Sequence, residues 1–528
     1  HAAVGGRLTS LRLRLEHGDS ATIAAARTEL ATYLTGNLGR DDSREAIALF
    51  DRHFPKRTAA EEIRIGRRAA AAGLAERAVR GFAAGQRYLT DRDRFTYATM
   101  LAQVGRADEA VRLFDAVKTP DLLGDAAYQR ARLLLRSGQR TRAEQALAKI
   151  PDAFPDDSVP AATALYLAGD LFSDDGHDDS ARARFSEAAR RYPKTAFGRK
   201  AAFQAAMIGF VAGNFRAAAA EFDRITADRE SPESLAAQYW AGRALLAAGD
   251  TGAARNRWVG IAARASDSYY ALLASRRLGT DFWSFAPPPD TVAATDLPNQ
   301  LVRAKRLHDL GLDLEARLEL DAFMSAAPAS GEPLAAARSL ASGNWHSRAL
   351  RLAQRFRSGR GLADRDIAEL LYPLPYSSAL LSEARQVGVD PMLVAGLIRQ
   401  ESLFDPTARS VADARGLMQV LPSVGAELAR SVSLPEWDPV LLYQPDLNIS
   451  FGIEHLAAAL STLEWPERAL AAYNAGTHRV ERWRKVRGVE EDHEVFVERI
   501  PFAETRDYVR RVMTNYAIYS ALYGTLVP

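Results

Sequence analysis

The stretch LAQVGRADEAVRLF, residues 101–114, decides the architecture of the first half of the chain. It sets helix-spaced apolar residues before Gly105, a short polar turn, and a second helix entered through Ala107. The same form returns as LLRSGQRTRAEQAL (134–147), LFSDDGHDDSARARF (171–185), GFVAGNFRAAAAEF (209–222) and LLAAGDTGAARNRW (245–258). The turn glycines, Gly105, Gly138, Gly176, Gly213 and Gly249, are separated by 33, 38, 37 and 36 residues. Each sits where a helix C-terminus needs a left-handed residue, which glycine adopts without a Cβ penalty. A period in this range marks stacked helical hairpins, each burying its apolar face against its neighbours.

These hairpins resemble tetratricopeptide repeats; a generic helical bundle is the alternative reading. Residues 1 to about 285 are rich in Ala, Leu and Arg with almost no β-branched runs, so this half is predicted all-α. FAPPPDTVAATDLP (285–298) breaks the pattern, because proline cannot continue a helix. The helix-Gly-helix form then resumes at Gly311 and Gly343, and YPLPYSS (372–378) makes a second break. Three domains are therefore expected: 1–290, a superhelix of repeats closing as a ring-like solenoid; 291–375, a helical linker; and 376–528, a region of specific motifs. The 528-residue length, well past the size at which single cores stop growing, fits more than one domain.

With 68 Lys+Arg against 66 Asp+Glu, the charge argues for neither nucleic acid nor an anionic membrane as partner. The absence of cysteine excludes disulfides, thiolate zinc sites and cysteine nucleophiles. No run of about 18 apolar residues is present, so no transmembrane segment is expected. The start HAAVGGRLTS has neither an initiator Met nor a basic-then-apolar leader, which is read as a chain whose signal peptide has been removed.

The chemistry concentrates in AGLIRQESLFDP (395–406). Asp390 is a suitable N-cap and Pro391 suits the first helical position. On the helix that follows, Val394, Leu397, Ile398 and Glu401 share one side, which sets a carboxylate on an apolar stripe. Desolvation and the C-terminal end of the helix dipole both raise the pKa of such a group, as a general acid requires. A solvated Glu at a helix end is the alternative.

ESLFDPTARSVADARGLMQVLPS (401–423) resembles the signature of the lytic transglycosylases with a goose-type lysozyme-like catalytic domain. AAYNAGTHRV (471–480) and IPFAETRDYV (500–509) resemble that family's second and third motifs, in order. The whole architecture is similar to the large soluble lytic transglycosylases of the Gram-negative periplasm. The resemblance implies an all-α fold, a periplasmic location, and cleavage of the bond between N-acetylmuramic acid and N-acetylglucosamine. It makes Glu401 the single acid/base and places Ser410, Gly416, Gln419, Leu421, Tyr473, Asn474 and Glu504 around the sugar strand, Tyr473 against the acid. From the residues alone, Ser410 reads equally as a turn hydroxyl, Gly416 as a site of close backbone approach, Tyr473–Asn474 as a helix end, and Glu504 as a first-turn Glu. Asp413 stands where the family has Gly, and Leu421 where Met is common.

A retaining glycosidase holds two carboxyls roughly 5–5.5 Å apart and an inverting one about 6.5–9.5 Å. No partner for Glu401 is evident: Asp405 precedes Pro406 as a helix stop, and Asp413 replaces a turn glycine. The family resolves this by closing the sugar's own C6 hydroxyl onto the anomeric carbon, which leaves a 1,6-anhydro product. Three hypotheses follow: a lytic transglycosylase, a muramidase on the same fold, and a binding scaffold. The expected partners are peptidoglycan strands, with cell-wall proteins on the repeats; no metal or cofactor is called for.

Overall fold

The computed structural model of the chain describes every residue except 1, 37–38, 229–231, 265–266, 282, 284, 286–296, 328–332, 357–363, 486–489, 491 and 527–528. Most of the proline-rich break at 285–298 thus lies outside the described residues. Among those described there are 29 α-helices and no strand, as the Ala- and Leu-rich composition predicts. They form two compact units, 1–172 with 179–205, and 173–178 with 206–528.

The first unit is made of antiparallel pairs such as Ala59–Ala71 with Ala75–Ala84, Asp91–Gln103 with Ala107–Asp115, and Pro120–Arg136 with Arg140–Ala153. The turn glycines do what the spacing predicts: Gly105, Gly138, Gly176, Gly213 and Gly249 have φ of 81°, 73°, 75°, 85° and 90°. At four of the turns the next residue closes a six-residue ring back to the helix, Arg106 N–H to Leu101 O, Gln139 to Leu134, Asn214 to Gly209 and Asp250 to Leu245, at 2.9–3.0 Å. Gly73, with φ 74°, marks one hairpin earlier than the quoted series. Between the helices, Leu8, Phe50, Phe82, Leu101 and Phe114 are buried in a continuous apolar seam. Each such side chain contributes about 1.5–3 kcal/mol by leaving water.

In the second unit, hairpins Ser234–Ala247 with Thr251–Arg264, Asn299–Asp309 with Asp313–Ala326, and Pro333–Ser342 with His346–Phe356 continue the pattern. The last turn departs from the rule: Asn344 takes the left-handed conformation at φ 67°. Gly343 instead leaves room for the Trp345 ring, whose Cζ3 would lie 2.3 Å from an added Cβ.

From Ser377 onward the helices vary in length, and those that position the site are Pro391–Ser402, Pro422–Ser431, Pro445–Leu463, Pro466–Ala475 and Ala503–Tyr523. Pro391–Ser402 crosses Ala503–Tyr523 at Gly396, where a Cβ would meet Tyr516 N at 2.9 Å. The crossing is locked by polar bonds at its edges. Arg399 donates to Leu371 O at 2.8 Å and to Asn515 Oδ1 at 3.0 Å, and its guanidinium lies 3.9 Å from the Tyr372 ring centre. Asn515 in turn donates to Gly396 O.

Candidate active site

Asp390 caps the Pro391–Ser402 helix by accepting from Met392 N–H at 2.8 Å, and the helix runs apolar and buried until its last turn. There Glu401 is half-buried. Burial pushes its carboxyl up to about 7, against a downward pull from one hydrogen bond, donated by the Tyr508 hydroxyl to Oε1 at 2.6 Å. The helix ends in two left-handed residues, Leu403 (φ 53°) and Phe404 (φ 60°), a conformation that costs about 1–3 kcal/mol per non-glycine residue. Phe404 is buried, with its ring 6.4 Å from that of Tyr519.

The chain then forms a tight platform. Arg415 and Val420 exchange both backbone hydrogen bonds, at 3.0 and 3.1 Å, and Gly416 N–H reaches Ala408 O at 2.9 Å. Gln419 donates its side-chain amide to Ala408 O and Gly416 O. Gly416 has φ 77°, and a Cβ on it would lie 2.2 Å from Leu442 O and 2.4 Å from Asn448 Nδ2. The close approach anticipated at this glycine is therefore made by the protein's own groups. Ser410 is exposed, and its hydroxyl oxygen accepts from Ala412 and Ala414 N–H, the geometry of a turn hydroxyl. Leu421 is the N-cap residue of Pro422–Ser431 and is 40% exposed.

Asn448, fully buried, holds this platform from below. Its Oδ1 accepts from Met418 N–H at 2.7 Å, and its Nδ2 donates to Arg415 O and Leu442 O at 2.9 and 2.8 Å. The residue beside the acid adds a second tie, because Ser402 Oγ donates to Leu417 O at 2.8 Å. A third comes from Tyr473, whose hydroxyl donates to Met418 O at 2.8 Å. Burial, and then the charge of Glu401, push the Tyr473 phenol well above its usual range, so this ring is near the acid although its hydroxyl serves the loop. Asn474 accepts from Thr505 Oγ at 2.7 Å, which fastens the end of its helix to the start of Ala503–Tyr523. Glu504 is exposed in the first turn of that helix; the side chain sent to Glu401 is Tyr508, one turn further on.

The two aspartates in the loop are engaged in local structure. Asp405 accepts from the Thr407 backbone and hydroxyl and pairs with Arg351 at 3.2 Å. Asp413, at φ 66°, pairs with Arg409 and Arg415, and these bonds hold its carboxyl below the usual range. The ion pairs accompany a side chain at a position whose backbone suits glycine.

With that geometry in place, residues 378–496 match the family described as Transglycosylase SLT domain. This segment is similar to an SLT domain. Residues 499–528 match the Soluble lytic transglycosylase helical domain. The soluble lytic murein transglycosylase of Salmonella typhimurium is 28% identical over 300 residues, 56% of this chain and 45% of that protein. A putative soluble lytic murein transglycosylase of Haemophilus influenzae is 34% identical over 160 residues, 30% of this chain and 27% of that protein. The matched part of the chain thus spans less than half the length of these curated relatives. Among solved structures, a lytic transglycosylase Slt inactive mutant from Pseudomonas aeruginosa aligns over 97% of this chain and 96% of its own, at TM-score 0.56 and 20% identity. A 70-kDa soluble lytic transglycosylase in complex with bulgecin A aligns over 99% and 91%, at TM-score 0.57 and 18% identity. The all-α, helical-repeat fold is what these structures share with this chain.

Three residues of the site are only weakly marked in the sequence. Tyr508 lies inside the quoted IPFAETRDYV, four residues after Glu504, and the i, i+4 spacing signals that both belong to one face. Asn448 is the lone amide within NISFGI, where Ile449, Phe451 and Ile453 are apolar, a pattern that fits a buried hydrogen-bonding hub. Ser402 had no signal beyond its place next to Glu401.

Proposed function

We propose that the protein is a peptidoglycan lytic transglycosylase acting between N-acetylmuramic acid and N-acetylglucosamine. The observation that carries this reading is the half-buried Glu401 carboxyl near pKa 7, with Oε1 bonded to Tyr508 and Oε2 without a protein partner among the described residues. A carboxyl in that state gives a proton near neutral pH and takes one back. Glu401 protonates the glycosidic oxygen and the C1–O4 bond breaks, with the ring acetamide sharing the positive charge. The carboxylate then takes the proton of the C6 hydroxyl as O6 bonds to C1, so no water is consumed. An alcohol tethered to the same sugar has a high effective molarity, which replaces a second carboxylate.

Tyr473 and Asn474 are assigned to substrate contact, with Ser410, Gln419, Leu421 and Glu504 along the rim, and Gly416 acting by shaping the loop. The parts 1–290, 291–375 and 376–528 are taken as repeat, linker and catalytic regions, and the location as periplasmic. Among the described residues no helix is long and apolar enough to cross a membrane.

The test is to digest purified sacculi, treat the products with borohydride and weigh them. Products that resist reduction and are one water lighter than hydrolysis products are expected. Reducible ends carrying the added water identify a muramidase instead.

A further inference from the structure

His455 is a titratable group that the mechanism above leaves unused. Its helix, Pro445–Leu463, packs one stripe under the site, with Asn448, Gly452 and His455 at i, i+4 and i+7. Asn448 bonds Met418 N–H, and an added Cβ on Gly452 would lie 2.3 Å from Met418 Sδ, so the stripe runs along the loop to Met418. One turn beyond Gly452, the His455 ring centre lies 5.1 Å from that of Tyr473, tilted by 57°. Tyr473 in turn anchors Met418 O and feels the charge of Glu401. Glu401, Tyr473 and His455 are all half-buried, so each keeps part of its surface open to solvent. Neither ring nitrogen of His455 has a hydrogen-bond partner among the described residues.

We infer that His455 is a substrate-binding residue of the site, which hydrogen-bonds an N-acetylhexosamine ring of the glycan strand beside Tyr473. This rests on the proposed function and extends it by naming a sugar contact. Burial moves the imidazole below its ordinary value, against a raising influence from Glu427, so it is neutral near pH 7. A neutral imidazole offers one N–H donor and one acceptor nitrogen, which matches a sugar hydroxyl or the acetamide. The Tyr473 ring packs beside the imidazole, tilted by 57° to it.

The test has two arms. In Glu401→Gln protein, tetra-N-acetylchitotetraose binding is measured by calorimetry with and without His455→Phe and His455→Asn. Phe keeps the ring contact with Tyr473 and removes both nitrogens, whereas Asn restores a donor and an acceptor. With Glu401 intact, the same His455 variants are assayed on sacculi. The expected result is a fivefold to tenfold weaker Kd for Phe, roughly the worth of one hydrogen bond, partial recovery for Asn, and a raised KM with kcat little changed. Thermal melting separates folding loss from binding loss, and the Asn variant carries the test if Phe fails to fold. Unchanged Kd and KM in a sacculus-cleaving enzyme overturn the role of His455 and leave the function standing. Absence of cleavage by the wild-type chain overturns the function, and the His455 contact with it.

Discussion

The Tyr508 hydroxyl donates to Glu401 Oε1 at 2.6 Å, the hydrogen bond that opposes burial at the carboxyl. A donor to a carboxylate favours the charged form, so Tyr508 keeps Glu401 from rising further. Tyr508→Phe is expected to move the basic limb of the pH–rate profile upward by up to about one unit and to lower the rate about tenfold at pH 7. A profile that falls in amplitude with its limbs unmoved would show that Tyr508 serves packing alone.

Glu401 also has a stability consequence. Its carboxyl is raised from an unfolded value of 4.5 to about 7, so between these pH values the folded state binds more protons than the unfolded state. Stability therefore falls as pH rises through this window, by up to about 3 kcal/mol, and the penalty is complete above pH 7. Glu401→Gln is expected to abolish cleavage while melting higher than wild type at pH 8 and equally near pH 4. Equal melting temperatures at both pH values would contradict the raised carboxyl, and retained cleavage would remove Glu401 from its role.

Asn448→Ala strands Met418 N–H and Leu442 O behind the loop that borders the acid, and takes from Arg415 O the second of its two donors, leaving the Val420 N–H. A loss of about 2–4 kcal/mol is expected from unpaired buried groups, with activity falling at temperatures where the protein is still folded. Chemical denaturation and sacculus cleavage measured on one preparation check this. Gly416→Ala is expected to behave similarly, because its Cβ would meet Leu442 O at 2.2 Å in a left-handed backbone.

The helical half was legible because its signals are local. A left-handed glycine every 33–38 residues requires only the chain around it, and Gly105 through Gly249 all adopt that conformation. Asp390, Pro391 and the apolar stripe placed Glu401 by the same local logic. The surroundings of the acid were harder, since Tyr508 is 107 residues away and reaches it only through the crossing at Gly396. The motif around Ser410, Gly416 and Gln419 carries no local sign that these residues also hold the loop itself, through bonds and contacts to Ala412, Gly416 O and Leu442 O. Sequence pattern shows which residues a site uses, whereas the division between contact and support depends on partners far along the chain.

The same distance effect predicts how residues 376–528 behave when cut out. Glu494 accepts from Tyr239 at 2.6 Å and from Arg277 at 2.8 Å, and it pairs with Arg243, which also holds Asp492 at 2.7 Å. Glu498, fully buried, pairs with Arg510 and accepts from Tyr270 at 2.9 Å. Trp483 donates to Asp174 at 2.8 Å, and the buried Arg499 pairs with Asp178. Tyr239, Arg243, Tyr270 and Arg277 lie before residue 280, so a fragment of residues 376–528 loses them along with Asp174 and Asp178. Removing one side of a buried ion pair within the intact chain costs about 3–5 kcal/mol, because the remaining charge stays uncompensated, whereas cutting before residue 376 removes the hydrogen bonds and the packing around these residues together. The fragment is therefore expected to melt well below the full chain and to lose activity on warming first. In the full chain, Glu494→Gln isolates the effect: it should destabilise by about 3 kcal/mol and leave the pH profile of Glu401 in place. A fragment as stable and as active as the intact protein would show that these pairs are dispensable to the catalytic fold.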